Sequence, residues 1–291
     1  MKMMIKNKKI LITGADGQLG QAFTKSLEEK KIDHLSLEKN KLDITNFKKV
    51  NKIIKEYNPD FLINCAAYNN VNKAEECWKT AFLVNGIAVK NLALSSRKNN
   101  YVLVHYSTDY IFDGKKGSPY TITDIPHPLN KYGQSKLLGE RYIQNLSKNY
   151  YLIRLSSVFG NNPEVCFPLK ILSWSKNKKE IKIVKDQICS PSFTKDVVKA
   201  TLLLIETERY GLYHLTNSGF CSRYEWAKFI LEKSKWPGKV LAAKTEDFNS
   251  KTKRPKFSVL DSSPLEKIIN YKLPTWQKAT QEFLEEYNFK K

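Results

Sequence analysis

Short apolar runs alternate with longer periodic stretches over the first half of the chain. The short runs have the length and unbroken hydrophobicity of buried strands, whereas the longer stretches repeat apolar residues every three or four positions, as amphipathic helices do. The pattern predicts strands at 9–13, 61–64, 101–107 and 150–155, a further strand near 33–37, and helices at 19–29, 47–57, 75–96 and 132–146.

The alternation of strand and helix is typical of βαβ units, in which crossover helices join parallel strands. Runs as apolar as Ile10-Leu11-Ile12 and Val102-Leu103-Val104 suit a sheet that is covered on both faces. We therefore predict an α/β fold: a Rossmann-like doubly wound parallel sheet with a smaller C-terminal substrate domain.

The spacing of the elements becomes irregular after residue 155, where seven prolines separate shorter segments. A length of 291 residues also corresponds to about two domains. We assign residues 1–155 to the first domain, completed by parts of residues 181–215, and residues 156–291 mainly to the second.

The net charge of the chain bears on which partners it could bind. The chain has 49 Lys and Arg against 29 Asp and Glu, and the net charge of +20 attracts phosphates of any kind. The basic residues are mostly dispersed lysines, without a helix-turn-helix, zinc-finger or RNA-binding signature. We expect no nucleic acid partner.

The sequence indicates neither a membrane segment nor a metal site. No apolar run is long enough to cross a bilayer, and the apolar stretch Ile10–Ile12 behind the basic N-terminus is too short for a signal peptide. The five cysteines are scattered, without a C-x-x-C pair or a histidine at ligand spacing. We expect a cytoplasmic protein with reduced thiols and no bound metal.

A glycine-rich turn gives the first chemical signal. The segment Gly14-Ala15-Asp16-Gly17-Gln18-Leu19-Gly20 directly follows a predicted strand and opens a predicted helix. In this position the first glycine permits a tight turn, the second lets the backbone approach a pyrophosphate, and the third lets the helix lie close to the strand. The context favours a dinucleotide site over an ordinary glycine-rich turn.

The end of the second predicted strand should meet the adenosine part of such a cofactor. Glu38 could accept hydrogen bonds from a ribose 2′-hydroxyl, and Lys39 could neutralise a 2′-phosphate. The net positive charge of the chain favours NADPH, which carries the additional 2′-phosphate, and NADH stays an alternative.

Tyr132 and Lys136 give the second signal, because residues four apart on a helix share one face. For this pair alone, packing on an amphipathic helix would be the simpler interpretation. An unperturbed tyrosine has a pKa of about 10, which a neighbouring ammonium lowers. We expect Lys136 to make Tyr132 a usable acid or base, and Thr108 to present its hydroxyl at the carboxyl edge of the sheet, where ligands bind.

Several motifs resemble those of a known superfamily. The glycine turn, Asn64-Cys65-Ala66-Ala67, Ser107-Thr108-Asp109 and Tyr132-x-x-x-Lys136 occur in an order similar to that of the extended short-chain dehydrogenase/reductases. The chain resembles the dTDP-4-dehydrorhamnose reductases nearly end to end, through Gly17-Gln18-Leu19-Gly20, Leu42-Asp43-Ile44-Thr45, Ala66-Ala67-Tyr68, Val71-Asn72-Lys73-Ala74-Glu75, Ser107-Thr108-Asp109-Tyr110-Ile111-Phe112-Asp113-Gly114 and Arg254-Pro255.

The resemblance implies a dinucleotide-binding Rossmann domain, a C-terminal sugar-nucleotide domain and a reaction. Hydride from NADPH would reach C4 of dTDP-4-dehydro-β-L-rhamnose, with Tyr132 as the proton donor, Lys136 as its tuner and Thr108 holding the C4 oxygen. The implied cofactor contacts are Gly14, Gly17, Gln18, Leu19, Gly20, Asp43, Ile44, Ala66, Ala67, Tyr68, Tyr132 and Lys136, and the implied substrate contacts are Val71, Thr108, Asp109, Tyr110 and Ser157.

Some positions depart from the family pattern and leave alternatives open. Ser157 stands where a Trp is common, so an aromatic wall against the sugar is missing, and Asn69-Asn70 and Cys189 are also unusual. The alternatives are a reductase of another 4-keto sugar nucleotide and a non-catalytic, cofactor-binding regulatory subunit similar to the methionine adenosyltransferase beta subunit. A dehydratase is disfavoured, because Tyr110 stands where such enzymes have a Glu. The assembly could be a homodimer.

Overall fold

Six parallel strands form the central sheet of the computed structural model, which describes residues 4–248 and 252–288. In these residues no helix combines the length and hydrophobicity needed to cross a membrane. In chain order the described strands are β1 (Ile10–Thr13), β2 (His34–Leu37), β3 (Phe61–Asn64), β4 (Val102–Thr108), β5 (Tyr150–Leu155), β6 (Val158–Phe159), β7 (Glu180–Val184), β8 (Ile188–Cys189), β9 (Ser192–Phe193), β10 (Gly211–His214), β11 (Cys221–Ser222) and β12 (Lys239–Ala243).

Helices follow most strands of the sheet. The described helices are α1 (Gln18–Glu29), α2 (Phe47–Tyr57), α3 (Lys73–Glu76), α4 (Trp78–Phe82), α5 (Ala88–Asn99), α6 (Lys131–Leu146), α7 (Phe167–Ser175), α8 (Thr194–Glu206), α9 (Arg223–Lys233), α10 (Ser263–Ile269) and α11 (Trp276–Asn288). α1 and α8 pack on one face of the sheet through residues such as Phe23 and Val197. α2, α5 and α6 cover the other face through Ile54, Leu92 and Ile143, so the strands are buried on both sides.

The strand order across the sheet is β2-β1-β3-β4-β5-β10, and all neighbouring strands are parallel. From β1 the chain crosses to β2 on one side and later to β3 on the other, which makes a topological switch point at the carboxyl ends of β1 and β3. The predicted α/β class with a doubly wound parallel sheet is confirmed. The division into two domains stays a prediction.

The chain after β5 contributes a separate aromatic cluster. Its buried members include Phe159, Phe193, Trp226 and Phe283, with Phe159 and Phe193 stacked at a centroid distance of 5.2 Å. The strand β7 lies against this cluster and pairs with β12 in a small parallel sheet of its own. Residues 181–184 therefore do not join the central sheet, whereas residues 211–214 form its edge strand β10.

One predicted helix is divided in the structure. The periodicity predicts a single helix over 75–96, but Cys77 separates α3 from α4, and a π-helical turn over Leu83–Ile87 links α4 to α5. Gly86 in this turn lies against α6: a Cβ there would approach Leu138 Cδ2 to 2.7 Å. The wider turn carries Asn85 into the interior, and such turns are frequent at functional sites.

Candidate active site

A cavity of about 860 Å³ lies at the carboxyl edge of the central sheet, beside the switch point. β1, β3 and β4 end at Thr13, Asn64 and Thr108, and the segments that follow them form the cavity wall together with the start of α1 and one face of α6. This volume is within the range of ligand pockets for nucleotide-sized molecules. The sheet topology thus places the ends of three strands around one possible ligand.

The glycine turn brings β1 and α1 into close contact. Gly14 has a φ of 67°, and a Cβ on it would lie 2.6 Å from the backbone nitrogen of Ala66. A Cβ on Gly20 would lie 2.2 Å from the carbonyl oxygen of Gly14, so neither position tolerates a side chain. Gly17 precedes α1 and provides no side-chain cap, which leaves the first N–H groups of the helix available to an anion.

Two buried polar atoms at this cavity point to a bound group. Gln18 Oε1 and Ser107 Oγ have no hydrogen-bond partner in residues 4–248 and 252–288, although their side chains line the cavity. Gln18 is held by its other amide atom, Nε2, which donates to the Val158 carbonyl at 3.1 Å. Buried polar groups are normally satisfied, and a polar ligand beside the helix N-terminus would supply the missing partners. The site therefore fits a phosphate-containing cofactor.

Tyr132 faces the cavity from the first turn of α6. The N-cap Asn130 fixes this turn, because its side-chain oxygen accepts a hydrogen bond from Gly133 N at 2.8 Å. The Tyr132 phenol hydrogen-bonds with the side chain of Thr108, and its ring packs edge-to-face on Tyr110 at a centroid distance of 6.0 Å. Two residues that the sequence predicts to act together, Thr108 and Tyr132, are therefore in contact.

The acidity of Tyr132 differs from the sequence-based expectation. Burial raises the pKa of the phenol well above its usual value, and the hydrogen bond with Thr108 offsets this only in part. The carboxyl of Asp109 raises the pKa further. The expected lowering of the pKa by Lys136 is wrong for this arrangement, because the lysine ammonium is engaged elsewhere.

Lys136 lies one turn further along α6 and lines the same cavity. Its Nζ donates to the carbonyl oxygen of Tyr106 at 2.5 Å and lies 3.3 Å from His105 Nε2. Burial lowers the pKa of Lys136 to about 8, although Glu140 and Cys65 act in the opposite direction. Lys136 is therefore a buried amine close to its titration point at neutral pH, held by uncharged groups.

A chain of buried side chains connects Lys136 to β1. Thr13 Oγ1 donates to Asn64 Oδ1 at 2.6 Å, and Asn64 Nδ2 lies 2.9 Å from His105 Nδ1. Burial lowers the pKa of His105 far below its usual value, and the charge of Lys136 adds to this effect, so the imidazole stays neutral. The sequence alone did not assign Asn64 and His105 this role; the one signal was a polar residue directly after the apolar runs at 61–63 and 102–104.

Asn85 is a second residue that the sequence did not indicate. From the π-helical turn its side chain accepts from Tyr68 N at 2.8 Å and donates to Tyr68 O at 3.0 Å and Ser135 Oγ at 3.0 Å. It fixes the segment after β3 against α6, between Tyr132 and Lys136. No local pattern reveals it, because an asparagine within a predicted helix is ordinarily a surface residue.

The remaining predicted contacts divide into two groups. Besides Thr108, Tyr132 and Lys136, the cavity is lined by Gly17, Gln18, Leu19, Ala66, Ala67, Val71 and Ser157. Gly14, Gly20, Asp43, Ile44, Tyr68, Asp109 and Tyr110 do not line it. The Asp43 carboxylate accepts hydrogen bonds from Thr45 N at 2.9 Å and Thr45 Oγ1 at 2.7 Å instead.

Asp109 lies behind the site rather than on its surface. Its buried carboxylate accepts hydrogen bonds from Ser258 Oγ at 2.6 Å, Ser156 Oγ at 2.7 Å and Thr108 Oγ1 at 3.1 Å. Burial raises the pKa of Asp109, and the three hydroxyl groups counteract this rise. The carboxylate joins the ends of β4 and β5 to the segment around residue 258 and orients the Thr108 hydroxyl.

Comparison with known proteins gives consistent results. The model of the family described as the RmlD substrate binding domain matches residues 8–289. The spore coat polysaccharide biosynthesis protein SpsK of Bacillus subtilis is 37% identical, over 96% of this chain and 97% of the relative. The dTDP-4-dehydrorhamnose reductase of Aggregatibacter actinomycetemcomitans is 36% identical, over 93% and 96%.

A solved structure of a relative extends this comparison. The dTDP-4-dehydrorhamnose reductase of Bacillus anthracis, crystallised in complex with NADP, is 34% identical and superimposes with a TM-score of 0.90 over 96% of this chain and 99% of that chain. The family predicted from the motifs is thereby confirmed. This chain belongs to the dTDP-4-dehydrorhamnose reductase family, through the RmlD substrate binding domain that spans residues 8–289.

Proposed function

We propose that this chain reduces the 4-keto group of dTDP-4-dehydro-β-L-rhamnose to give dTDP-L-rhamnose, with Tyr132 as the proton donor. The observation that carries the proposal is the convergence of Thr108, Tyr132 and Lys136 on one cavity beside the glycine turn of α1. Family membership supports the reaction type, since the relatives named above include two dTDP-4-dehydrorhamnose reductases.

The start of α1 would hold the cofactor. The N–H groups after Gly17 would bind its pyrophosphate, while Gln18 Oε1 and Ser107 Oγ supply polar atoms that still need partners. When bound, NADPH supplies the hydride of the reduction. NADPH is favoured because the relative from Bacillus anthracis was crystallised with NADP, and Lys39 lies exposed directly after β2, where it could meet a 2′-phosphate.

Tyr132 starts the reaction in the protonated form. Its raised pKa keeps the phenol neutral at physiological pH, which is the state that a proton donor needs. An alkoxide that develops at the substrate is a stronger base than a phenolate, so proton transfer to it is favourable even from a phenol of raised pKa. Thr108 would hold the same oxygen once its hydroxyl proton, which is donated to the Asp109 carboxylate at 3.1 Å, turns towards the substrate.

Lys136 would hold the ribose of the cofactor and would not act on the Tyr132 phenol directly. Its ammonium lies in a site of low polarity, where a charge acts more strongly than in water. With one N–H on the carbonyl of Tyr106 and His105 beside it, the amine still has a donor to offer to a cofactor ribose. Val71 and Ser157 on the cavity wall, with Tyr110 and Asp109 behind it, would form the sugar side of the site.

The test is an NADPH oxidation assay with dTDP-4-dehydrorhamnose and a panel of other 4-keto sugar nucleotides, run in parallel with NADH. We expect turnover with the rhamnose precursor, and a fall in kcat of about 10²- to 10⁴-fold in Tyr132→Phe, with NADPH affinity retained. Tyr142→Phe is the matched control, because Tyr142 is on the same helix and packs on Lys90.

The outcomes separate the alternatives. Turnover with only a different 4-keto sugar would shift the substrate assignment, as the missing aromatic wall at Ser157 allows. Cofactor binding without turnover of any substrate in the panel would contradict an enzymatic role and favour a regulatory subunit. Equal rates for Tyr132→Phe and Tyr142→Phe would remove Tyr132 as the proton donor.

A further inference from the structure

Arg223 is the first residue of α9 and lines the candidate active site from the side opposite α1. Its guanidinium lies over the rings of Phe167 and Trp226, at 4.9 and 5.6 Å from their centroids. Its backbone N–H donates to the Gln187 carbonyl at 3.1 Å. Two aromatic faces and a backbone bond thus fix the direction of a long and otherwise flexible side chain.

The charge of Arg223 has no counter-ion in the part of the chain that the structure describes. No carboxylate lies within 4.0 Å of its guanidinium there, and the guanidinium makes no hydrogen bond to those residues. The Asp109 carboxylate, whose field reaches Arg223, is already engaged by three hydroxyl groups. A guanidinium offers five N–H donors, and Arg223 lines the cavity with none of them engaged by the described residues.

A second guanidinium approaches the same part of the cavity. Arg254 Nη1 donates to Tyr110 Oη at 3.3 Å, and Arg254 Nη2 donates to Asn72 Oδ1 at 2.7 Å, so this arginine also has neutral partners. Tyr110 lies within the field of Arg223 as well. In the described residues neither arginine has a carboxylate partner, and partly buried cations of this kind are costly to desolvate unless an anion binds them.

We propose that Arg223 is a substrate-binding residue that donates hydrogen bonds to the diphosphate of the nucleotide sugar. The proposal rests on the proposed function, which supplies a nucleoside diphosphate as part of the substrate. A diphosphate carries charge on two adjacent phosphoryl groups and can meet two guanidinium groups at once, whereas a carboxylate on the sugar carries a single charge. Guanidinium forks bind phosphoryl oxygens in pairs, which gives geometric selectivity as well as attraction.

The proposal is tested by calorimetric titration of dTDP into protein saturated with NADP⁺, which prevents dTDP from entering the cofactor site. We expect Arg223→Met to weaken dTDP binding about 10- to 100-fold, the usual consequence of removing a charged hydrogen bond. Thymidine, which has no phosphate, should bind Arg223→Met and wild type equally. Arg223→Lys keeps the charge without the fork and should fall between the two.

Two controls distinguish lost recognition from lost structure or charge. Arg97→Met removes one positive charge from an exposed position on α5 and should leave dTDP affinity unchanged. NADP⁺ affinity and the thermal midpoint of Arg223→Lys should match those of wild type, which shows that α9 still packs on the aromatic cluster.

Other results would overturn the proposal. Equal dTDP affinity in wild type and Arg223→Met would show that Arg223 does not bind the diphosphate. A loss seen only with a sugar nucleotide that bears a carboxylate, and not with dTDP, would place the anion on the sugar instead. A wild-type protein that binds NADP⁺ but not dTDP would contradict the substrate class of the proposed function, and this inference with it.

Discussion

Two buried cations lie against the same helix and differ in how their charges are compensated. Arg154 on β5 forms a buried ion pair with Glu140 of α6, at 2.8 Å from Nη2 to Oε2 and 3.1 Å from Nε to Oε1. Lys136, one turn before Glu140, has only the Tyr106 carbonyl and His105 as hydrogen-bond partners among the described residues. Each cation also lies 3.3 Å from the Nε2 of a buried histidine, His214 for Arg154 and His105 for Lys136.

The difference indicates that Arg154 has a structural role and Lys136 a functional one. The Arg154–Glu140 pair is complete in itself and joins β5 to α6, so it has no reason to respond to a ligand. Lys136 is left without a carboxylate of its own at the edge of a cavity, and its pKa falls to about 8 because burial disfavours the charged form. A buried cation that the fold leaves uncompensated is a strong indication of a site whose counter-charge appears during function.

The largest effect is expected when the buried Arg154–Glu140 ion pair is broken. Glu140→Gln leaves Arg154 buried without a counter-ion and should lower the free energy of unfolding by about 3–5 kcal/mol, the usual cost of removing one partner of a buried ion pair. Denaturant unfolding measures this loss. Glu56→Gln removes a carboxylate from an exposed pair with Lys52 and should cost less than about 1 kcal/mol; equal losses in the two variants would contradict the comparison.

Substitution of the other cation, Lys136, should reduce catalysis without destabilising the fold. Lys136→Met should lower kcat by about 10²-fold, because it removes a donor that would hold the cofactor ribose, and a small misplacement of a reacting group costs about this much. The protein should remain folded at 25 °C, because the methionine fills a similar volume without a charge to desolvate. Steady-state NADPH oxidation measures the fall in kcat, and far-UV circular dichroism shows whether the variant is folded. An unfolded variant would contradict the prediction.

The same substitution has a pH signature without added cofactor. Burial lowers the pKa of Lys136 from 10.5 to about 8, so below pH 8 the folded protein bears the full cost of the buried ammonium. As the pH rises from about 8 to 10.5, the folded state releases the proton before the unfolded state does, and stability rises. Lys136→Met should therefore be more stable than wild type at pH 7, by an amount on the order of 3 kcal/mol, and this advantage should shrink towards pH 10.5.

Thermal midpoints of the two proteins measured across this pH range would test the sign. A difference that stays constant from pH 7 to pH 10.5 would show that Lys136 is not the titrating group.

Substitutions of the two buried histidines, His105 and His214, should have the smallest effects. His105→Phe removes the imidazole beside Lys136 Nζ and should lower kcat by about 10-fold, because one such hydrogen bond contributes about 1 kcal/mol or slightly more. Since Nδ1 of the neutral ring accepts from Asn64 Nδ2, its Nε2 carries the proton and disfavours the charged form of the amine, so the alkaline limb of the kcat profile should move to higher pH in this variant. Glu140 and Cys65, whose charges also act on Lys136, are unchanged in this variant.

His105→Gln, which keeps a polar N–H group at this position, should restore part of the activity. His214→Phe acts on Arg154 and should reduce stability by about 1–3 kcal/mol without a change in the pH profile. Movement of the alkaline limb in His214→Phe, or its absence in His105→Phe, would show that the two environments are not distinct.

Much of this protein could be predicted from local sequence patterns. The positions of β1, β3, β4 and β5 follow from short apolar runs, and the turn at Gly14 from glycine spacing after a strand. The shared cavity of Tyr132 and Lys136 follows from a spacing of four residues on a helix, and Thr108 lies beside them because β4 ends there. Each of these features depends on residues close to one another in the chain.

Long-range contacts decided what the sequence left open. His105 reaches Lys136 across 31 residues and Asn64 across 41, and no periodicity encodes such a pairing. The direction of the Tyr132 pKa shift was wrong from sequence, because it depends on how much of the phenol is buried and on where the lysine points. Arg223 was overlooked for the same reason: whether a charge is compensated depends on every element packed around it.

The amino-acid sequence alone determined the α/β architecture, the glycine turn and the two functional groups on one face of α6, because strand, turn and helix preferences act over a few residues. Only the tertiary structure determined which buried charges are paired and which are not, because desolvation and Coulomb interactions depend on distances between segments that are remote along the chain.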